Sequence, residues 1–196
     1  MKETRYTNTP RPEADLVQLD GFDYIEFYVG NAHHAAHYYR TAFVFRPIAY
    51  SGLETGSRDP VSVVVEQGKV RMVLTSAAGC SGPVAEHISV HGDGVKDIAF
   101  TVDNAAQAFE TAVKKGAQPI MEPTALEDEQ GQVIKATVAA FGDTEHSFIE
   151  RAKSLLRFIP AELPYPWKQV AGPIYGHPLG RSHSRGRQTG RNRSLG

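Results

Sequence analysis

Histidine supplies the densest chemistry in this chain. His33, His34 and His37 lie close together, and His33 with His37 forms an i, i+4 pair. On a helix that spacing puts two imidazoles on one face, where they can share a metal ion. His87 and His91 repeat the spacing, with Glu86 beside them. Glu145 and His146 stand together later, Cys80 is the lone cysteine, and Gly92-Asp93-Gly94 resembles part of a phosphate loop. Each has a plainer explanation. The first histidine cluster fits a solvated helix face, and no HExxH pattern accompanies it. His87 and His91 fit a short surface helix between modules, and Glu145 and His146 fit a polar turn. Gly92-Asp93-Gly94 precedes a strand instead of opening a helix, so it reads as a turn. Nothing near Cys80 offers the base that a thiolate nucleophile needs.

The elements that would position these groups follow from the hydrophobic pattern. Phe22 to Val29 alternates with a period of two, as a half-buried strand requires. Asn31 is a suitable N-cap for a helix from Ala32. Ala35, Tyr38, Tyr39 and Ala42, at i, i+3, i+4 and i+7, are its expected buried face. Strands follow at Phe45 to Ser51, Val61 to Glu66 and Val70 to Ser76, with a loop from Gly52 to Pro60 and a hairpin turn at Gln67-Gly68-Lys69. Pro83 to His91 suits a short helix that starts on proline.

The order then repeats. Val95 to Val102 reads as a strand, Asn104 to Lys115 as a helix stopped by Gly116. Gln118 to Glu122, Val133 to Phe141 and His146 to Arg151 read as strands, with a turn at Asp128 to Gln132. Aligning Val29 with Val102 matches Ile25 to Ile98, Phe27 to Phe100, Asn31 to Asn104, Ala32 to Ala105 and Ala35 to Ala108. An internal repeat constrains a fold more than any single motif. The expected fold is α+β: two βαβββ modules, 22–76 and 94–151, in mixed sheets with helices on one face and a concave sheet face left for a ligand.

Bulk composition narrows the partners. The chain has 196 residues, 41% of them hydrophobic, and a net charge of −1. That balance gives no overall signature of a nucleic-acid or membrane partner. One cysteine excludes an intrachain disulfide framework and suits a reduced, cytoplasmic setting. The N-terminus has no apolar signal-peptide core, and no apolar run nears the roughly 20 residues that span a bilayer.

VGNAHHAAHYYRTAFVFRPIAYSGLETGSRDP, QGKVRMVLTS, EHISVHGDGVKDIAFTVDNA and FGDTEHSFIER together resemble the N-terminal domain of the 4-hydroxyphenylpyruvate dioxygenase family, from about Gly21 to about Arg151. The resemblance implies the vicinal oxygen chelate (glyoxalase/bleomycin resistance/dioxygenase) fold. It implies tyrosine catabolism: an aromatic 2-oxo acid and O2 become homogentisate and CO2 at a non-haem Fe(II) held by two His and one carboxylate. In the family those ligands belong to a C-terminal catalytic domain, which is the partner expected for this chain. The corresponding positions here hold Tyr24, Asp97 and Ser147, which do not make that triad. No catalytic, cofactor-binding or metal-ligating residue is therefore assigned, and Fe(II) is expected in the full-length enzyme but not on this chain. Two alternatives share the plan, a 4-hydroxymandelate synthase fragment and a non-catalytic module that binds small molecules.

The expected division is a flexible leader at 1–19, the domain at 20–152, an interdomain-type linker at 153–176, and a disordered tail at 177–196. The tail has five Arg, four Gly and no acidic residue. Such a segment cannot form a core and can bind nucleic acid through phosphates. A frameshift explains it better. With suitable codons, the DNA for Gly180 to Gly196 read one base out of phase spells a string resembling the first strand of the family's catalytic domain. Nucleic acid and membrane are not expected partners, and an oligomer remains open.

Overall fold

A computed structural model describes residues 17–128, 131–151 and 168–169. Nine strands and three helices follow in the order β1 (Gly21–Tyr28), α1 (Ala32–Phe43), β2 (Arg46–Ser51), β3 (Val61–Gln67), β4 (Val70–Ser76), α2 (Pro83–His91), β5 (Gly94–Thr101), α3 (Ala105–Lys114), β6 (Pro119–Asp128), β7 (Gly131–Ala139), β8 (Glu145–Arg151) and β9 (Lys168–Gln169). The linker and tail expectations lie outside the described residues, apart from Lys168–Gln169, which pairs with Ala49 and Tyr50 of β2. Most of the expected leader also lies outside them. Its end does not: Val17 packs on the second module's core, and just past the leader the Asp20 amide donates to the Thr101 carbonyl at 2.9 Å.

One mixed sheet runs β6-β7-β8-β5-β1-β4-β3-β2-β9. Within each module the first strand lies parallel to the last, β1 with β4 and β5 with β8, because the helix carries the chain across. The modules join where β1 and β5 pair antiparallel. Ile25 faces Ile98 there, and these are equivalent residues of the repeat. Exchanging the modules maps every registered pair onto another: Tyr24 with Ala99 onto Glu26 with Asp97, Phe22 with Phe100 onto Phe27 with Val95, and Gly21 with Thr101 onto Tyr28 with Gly94. The seam therefore has local two-fold symmetry, including its two register shifts.

Helix starts follow the sequence. Asn31 Oδ1 accepts from the His34 amide at 2.9 Å, and Asn104 Oδ1 accepts from the Gln107 amide at 2.8 Å. The buried face of α1 differs from the expected one. Ala32 and Ala36 are buried and Ala35 and Tyr39 half-buried, whereas Ala42 is exposed and Tyr38 is 57% exposed. The second module shows why. Ala105, Ala108 and Phe109 are its buried residues, at the positions of Ala32, Ala35 and Ala36, so the same helix face turns to the sheet in both modules.

Two cores lie under the helices. α1 covers Val63, Val65, Met72 and Leu74, and α3 covers Ala136, Val138 and Phe148. Complete burial of a side chain such as Leu74 stabilises the fold by about 1.5–3 kcal/mol. A third cluster, Tyr24, Ala49, Val64, Val73, Ala99, Val133 and Ile149, alternates along the strands with the first two. It therefore occupies the face opposite the helices, the one expected to be concave. The centre of that face is not the open surface expected from the sequence, since Tyr24, Asp97 and Ser147 are all buried.

Candidate functional site

The sheet face opposite the helices carries a buried row of polar side chains across six strands. It starts with Ser62 of β3 and Thr75 of β4, whose hydroxyls are 2.9 Å apart. Thr75 Oγ1 donates to Glu26 Oε1 of β1 at 2.7 Å. Across the seam, Ser147 of β8 donates to Asp97 Oδ2 of β5 at 2.6 Å, and its Oγ lies 3.0 Å from Thr137 Oγ1 of β7. Each residue reaches this face by strand alternation, with the apolar residues between them directed at the helices.

At the centre, Tyr24, Asp97 and Lys135 close a triangle. The Tyr24 hydroxyl donates to Asp97 Oδ2 at 3.0 Å. Lys135 Nζ donates to the Tyr24 oxygen at 2.8 Å and lies 3.5 Å from Asp97 Oδ2. All three are buried. A buried ammonium or carboxylate is costly unless paired and hydrogen-bonded, and here each meets that need through the others. Asp97 Oδ1 has no hydrogen-bond partner among the described residues. Burial pushes the Glu26 carboxyl up to about 7, against the Thr75 hydrogen bond and the attraction of Lys135, while Asp97 and Glu145 add to the rise.

Tyr24, Asp97 and Ser147, the positions that the resemblance sets against the family's iron ligands, are thus brought together, but their chemistry is not that of an iron site. Tyr24, Asp97 and Ser147 offer one phenol, one carboxylate and one hydroxyl, with no imidazole. The Lys135 ammonium already neutralises the one carboxylate. A ferrous ion, which wants imidazole and carboxylate donors and no adjacent cation, does not fit this set. The sequence pointed to Tyr24, Asp97 and Ser147 through the family resemblance. It missed Lys135, whose place beside them depends on the register of β7 against β8. The one available signal was a lysine at an inward position of the Val133 to Phe141 alternation.

A bidentate ion pair borders the row. Arg151 Nε and its terminal nitrogen lie 2.8 and 2.9 Å from the two Asp23 oxygens. Arg71 stands 3.9 Å from Asp23 and 3.2 Å from Glu66. This pairing ties the first strand of one module to the last strand of the other.

The other candidates fall elsewhere. His33 is half-buried against the Tyr50 ring, with centroids 5.4 Å apart, and His34 and His37 are exposed. Burial holds the His33 imidazolium below the ordinary histidine range; Glu54 opposes that shift and His34 reinforces it. Cys80 is exposed. Gly92 ends α2, its amide donating to the Ile88 carbonyl at 2.8 Å, as a turn requires. Asp93 Oδ1 accepts from the Gly30 amide at 2.8 Å. His146 packs edge-on against Phe100, and Glu145 pairs with Lys96 at 2.6 Å. His87 and His91 do meet a third group, Asp143, in the turn between β7 and β8. The sequence had not singled out Asp143.

Known proteins share this architecture. The family model described as hydroxyphenylpyruvate dioxygenase, N-terminal, matches residues 14–155. The 4-hydroxyphenylpyruvate dioxygenase of Yarrowia lipolytica is 48% identical over 144 residues, which cover 71% of this chain and 36% of that protein. That of Dictyostelium discoideum is 41% identical over 158 residues, 80% of this chain and 42% of that protein. The chain thus spans less than half the length of these curated relatives. Among solved structures, a variant of 4-hydroxymandelate synthase from Streptomyces coelicolor gives a TM-score of 0.69 at 30% identity, covering 78% of this chain and 42% of that one. Methylmalonyl-CoA epimerase from Mycobacterium tuberculosis gives 0.56 at 15% identity, covering 70% and 91%, a likeness of fold alone.

Proposed function

The chain belongs to the family of hydroxyphenylpyruvate dioxygenase N-terminal domains, and on that premise we propose that it is the non-catalytic half of a 4-hydroxyphenylpyruvate dioxygenase. The whole enzyme converts 4-hydroxyphenylpyruvate and O2 to homogentisate and CO2. Fe(II) supplies the oxygen chemistry, held by a second domain of the same enzyme. This domain's residues build a rigid platform for that partner. One observation carries the assignment of roles: Tyr24, Asp97 and Ser147 converge as a hydrogen-bonded set around Lys135, with no donor set for iron. The enzyme works in the cytoplasm on an aromatic 2-oxo acid. Among the described residues, no helix is long and apolar enough to cross a membrane, which is compatible with that placement.

Formation of 4-hydroxymandelate is the second reading. It rests on the solved synthase structure at 30% identity, while the curated dioxygenases at 41% and 48% favour homogentisate.

The test is product analysis. The chain alone, supplied with Fe(II), ascorbate, O2 and 4-hydroxyphenylpyruvate, is expected to release no homogentisate. Adding the C-terminal half of a related dioxygenase as a second polypeptide is expected to raise homogentisate above that half's own rate. Turnover by the chain alone overturns the division of labour, and hydroxymandelate from the reconstituted pair overturns the choice of product.

A further inference from the structure

Helix α2 connects the modules and presents two histidines to a turn of the second module. His87 Nδ1 lies 2.9 Å and His91 Nε2 lies 3.0 Å from the same oxygen of Asp143, Oδ2. The two rings are 4.9 Å apart. The three ligand atoms all fall within 4.8 Å of one another, and among the described residues this is the grouping of three such donors that could hold one ion. We propose that His87, His91 and Asp143 form a binding site for a divalent transition-metal ion of the Zn2+ class, which pins the connecting helix to the β7–β8 turn.

The donor geometry suits such an ion. Four-coordinate Zn2+ takes His nitrogens and carboxylate oxygens at about 2.0–2.2 Å, so neighbouring ligands sit about 3.3 Å apart. The two N–O separations already approach that value. The i, i+4 spacing fixes both imidazoles on one turn of helix. Two imidazoles favour Zn2+, Cu2+ or Ni2+ over the hard cations Mg2+ and Ca2+.

The surroundings hold these ligands in place. His87 is largely buried, and its ring stands edge-on to Tyr28 with centroids 5.1 Å apart. Lys96 Nζ donates to the Asp143 backbone carbonyl at 2.7 Å, fixing the turn. The same ammonium pairs with Glu145 at 2.6 Å, which offsets its repulsion of a bound cation. The cluster opens into a cavity of about 450 Å³ that Glu86 and Glu145 also line. That leaves room for a water in the fourth position, as a three-ligand site requires. The site touches none of the Tyr24, Asp97 and Lys135 triangle, so it is independent of the role proposed above.

The test uses the untagged full chain, stripped with a chelator and titrated with Co2+ while its ligand-field absorption is followed, then with Zn2+ in competition. One saturable Co2+ with tetrahedral-type absorption, displaced by Zn2+, is expected. His91 is 48% and Asp143 49% exposed at the side chain, so H91A and D143A can be made without opening a core. Each should weaken binding by more than the roughly 10–100-fold loss typical of an outer-shell partner. Zn2+ should raise the melting temperature of the wild type and leave that of H91A unmoved. A double H33A/H37A variant should bind as the wild type does. No saturable Co2+ signal, or H91A and D143A binding like the wild type, overturns the site. So does loss of binding in H33A/H37A.

Discussion

Tyr24 and Asp97 hold the same position in the two modules, 73 residues apart, and hydrogen-bond directly to each other at 3.0 Å. They lie on the two strands of the β1–β5 seam, where Tyr24 is registered with Ala99 and Asp97 with Glu26. Divergence has turned one copy into a donor and the other into its acceptor. Lys135 then completes a closed set, so the site behaves as a polar fastener between modules.

That fastener has a measurable strength. Lys135→Met leaves Asp97 buried without its cation. Removing one partner of a buried pair costs about 3–5 kcal/mol, whereas replacing both can be nearly neutral. K135M should therefore lose several kcal/mol in urea denaturation, and K135M combined with D97N should recover most of it. A K135M variant within about 0.5 kcal/mol of wild type, the range of surface substitutions, would show that the triangle contributes little.

Glu26 makes stability fall as pH rises through neutrality. Its folded carboxyl titrates near 7 against an ordinary 4.5, so the native state retains a proton that the unfolded state releases. The favourable contribution is fully present below pH 4.5 and is lost as pH climbs through 7. The shift corresponds to roughly 3 kcal/mol. Measured as the difference between wild type and E26Q, stability should decline over that window. A flat difference would show that Glu26 titrates normally.

The two asparagine caps should be worth similar amounts. Asn31→Ala and Asn104→Ala each remove an acceptor from a first-turn amide. Each should cost about 0.5–2 kcal/mol. The losses should add, because the helices cover separate cores. Chemical denaturation of the single and double variants checks both points.

Asp23→Ala removes both oxygens of the bidentate pair from the mostly buried guanidinium of Arg151. Arg71 also loses its more distant partner, though it keeps Glu66. A loss of about 3–5 kcal/mol is expected. Arg71→Gln should cost clearly less, since it leaves the bidentate pair intact. Equal losses in the two variants would mean that the Arg151 pair has no special weight.

Much of the fold was legible because it is written twice. The paired patterns around Ile25 and Ile98 located both first strands, and Asn31 and Asn104 located both helix starts. The buried face of α1 departs from the periodic pattern because Tyr38, aromatic but placed at the helix edge, does not enter the core. It lies instead on the surface against the rings of Tyr39 and Phe43. The strand expected to stop at Glu122 continues through Pro123 to Asp128. Proline ends central strands because it cannot donate to the ladder, but β6 is an edge strand and absorbs it with a register shift between Met121 and Thr124. Lys135 and Asp143 were missed for another reason. Each matters only through neighbours that strand pairing supplies, 111 residues away in sequence for Lys135 and Tyr24.

The symmetric pairing of β1 with β5 has the form of an isologous subunit contact, in which a residue on the axis meets its own counterpart. Here both partners lie in one chain, with Ile25 and Ile98 on that axis. The linkage holds the two partners at a fixed high effective concentration, so the contact does not depend on how dilute the protein is. It also frees the two halves to change independently, which no homodimer can do. One side accordingly carries the phenol of Tyr24, and the other the acid Asp97 that it binds.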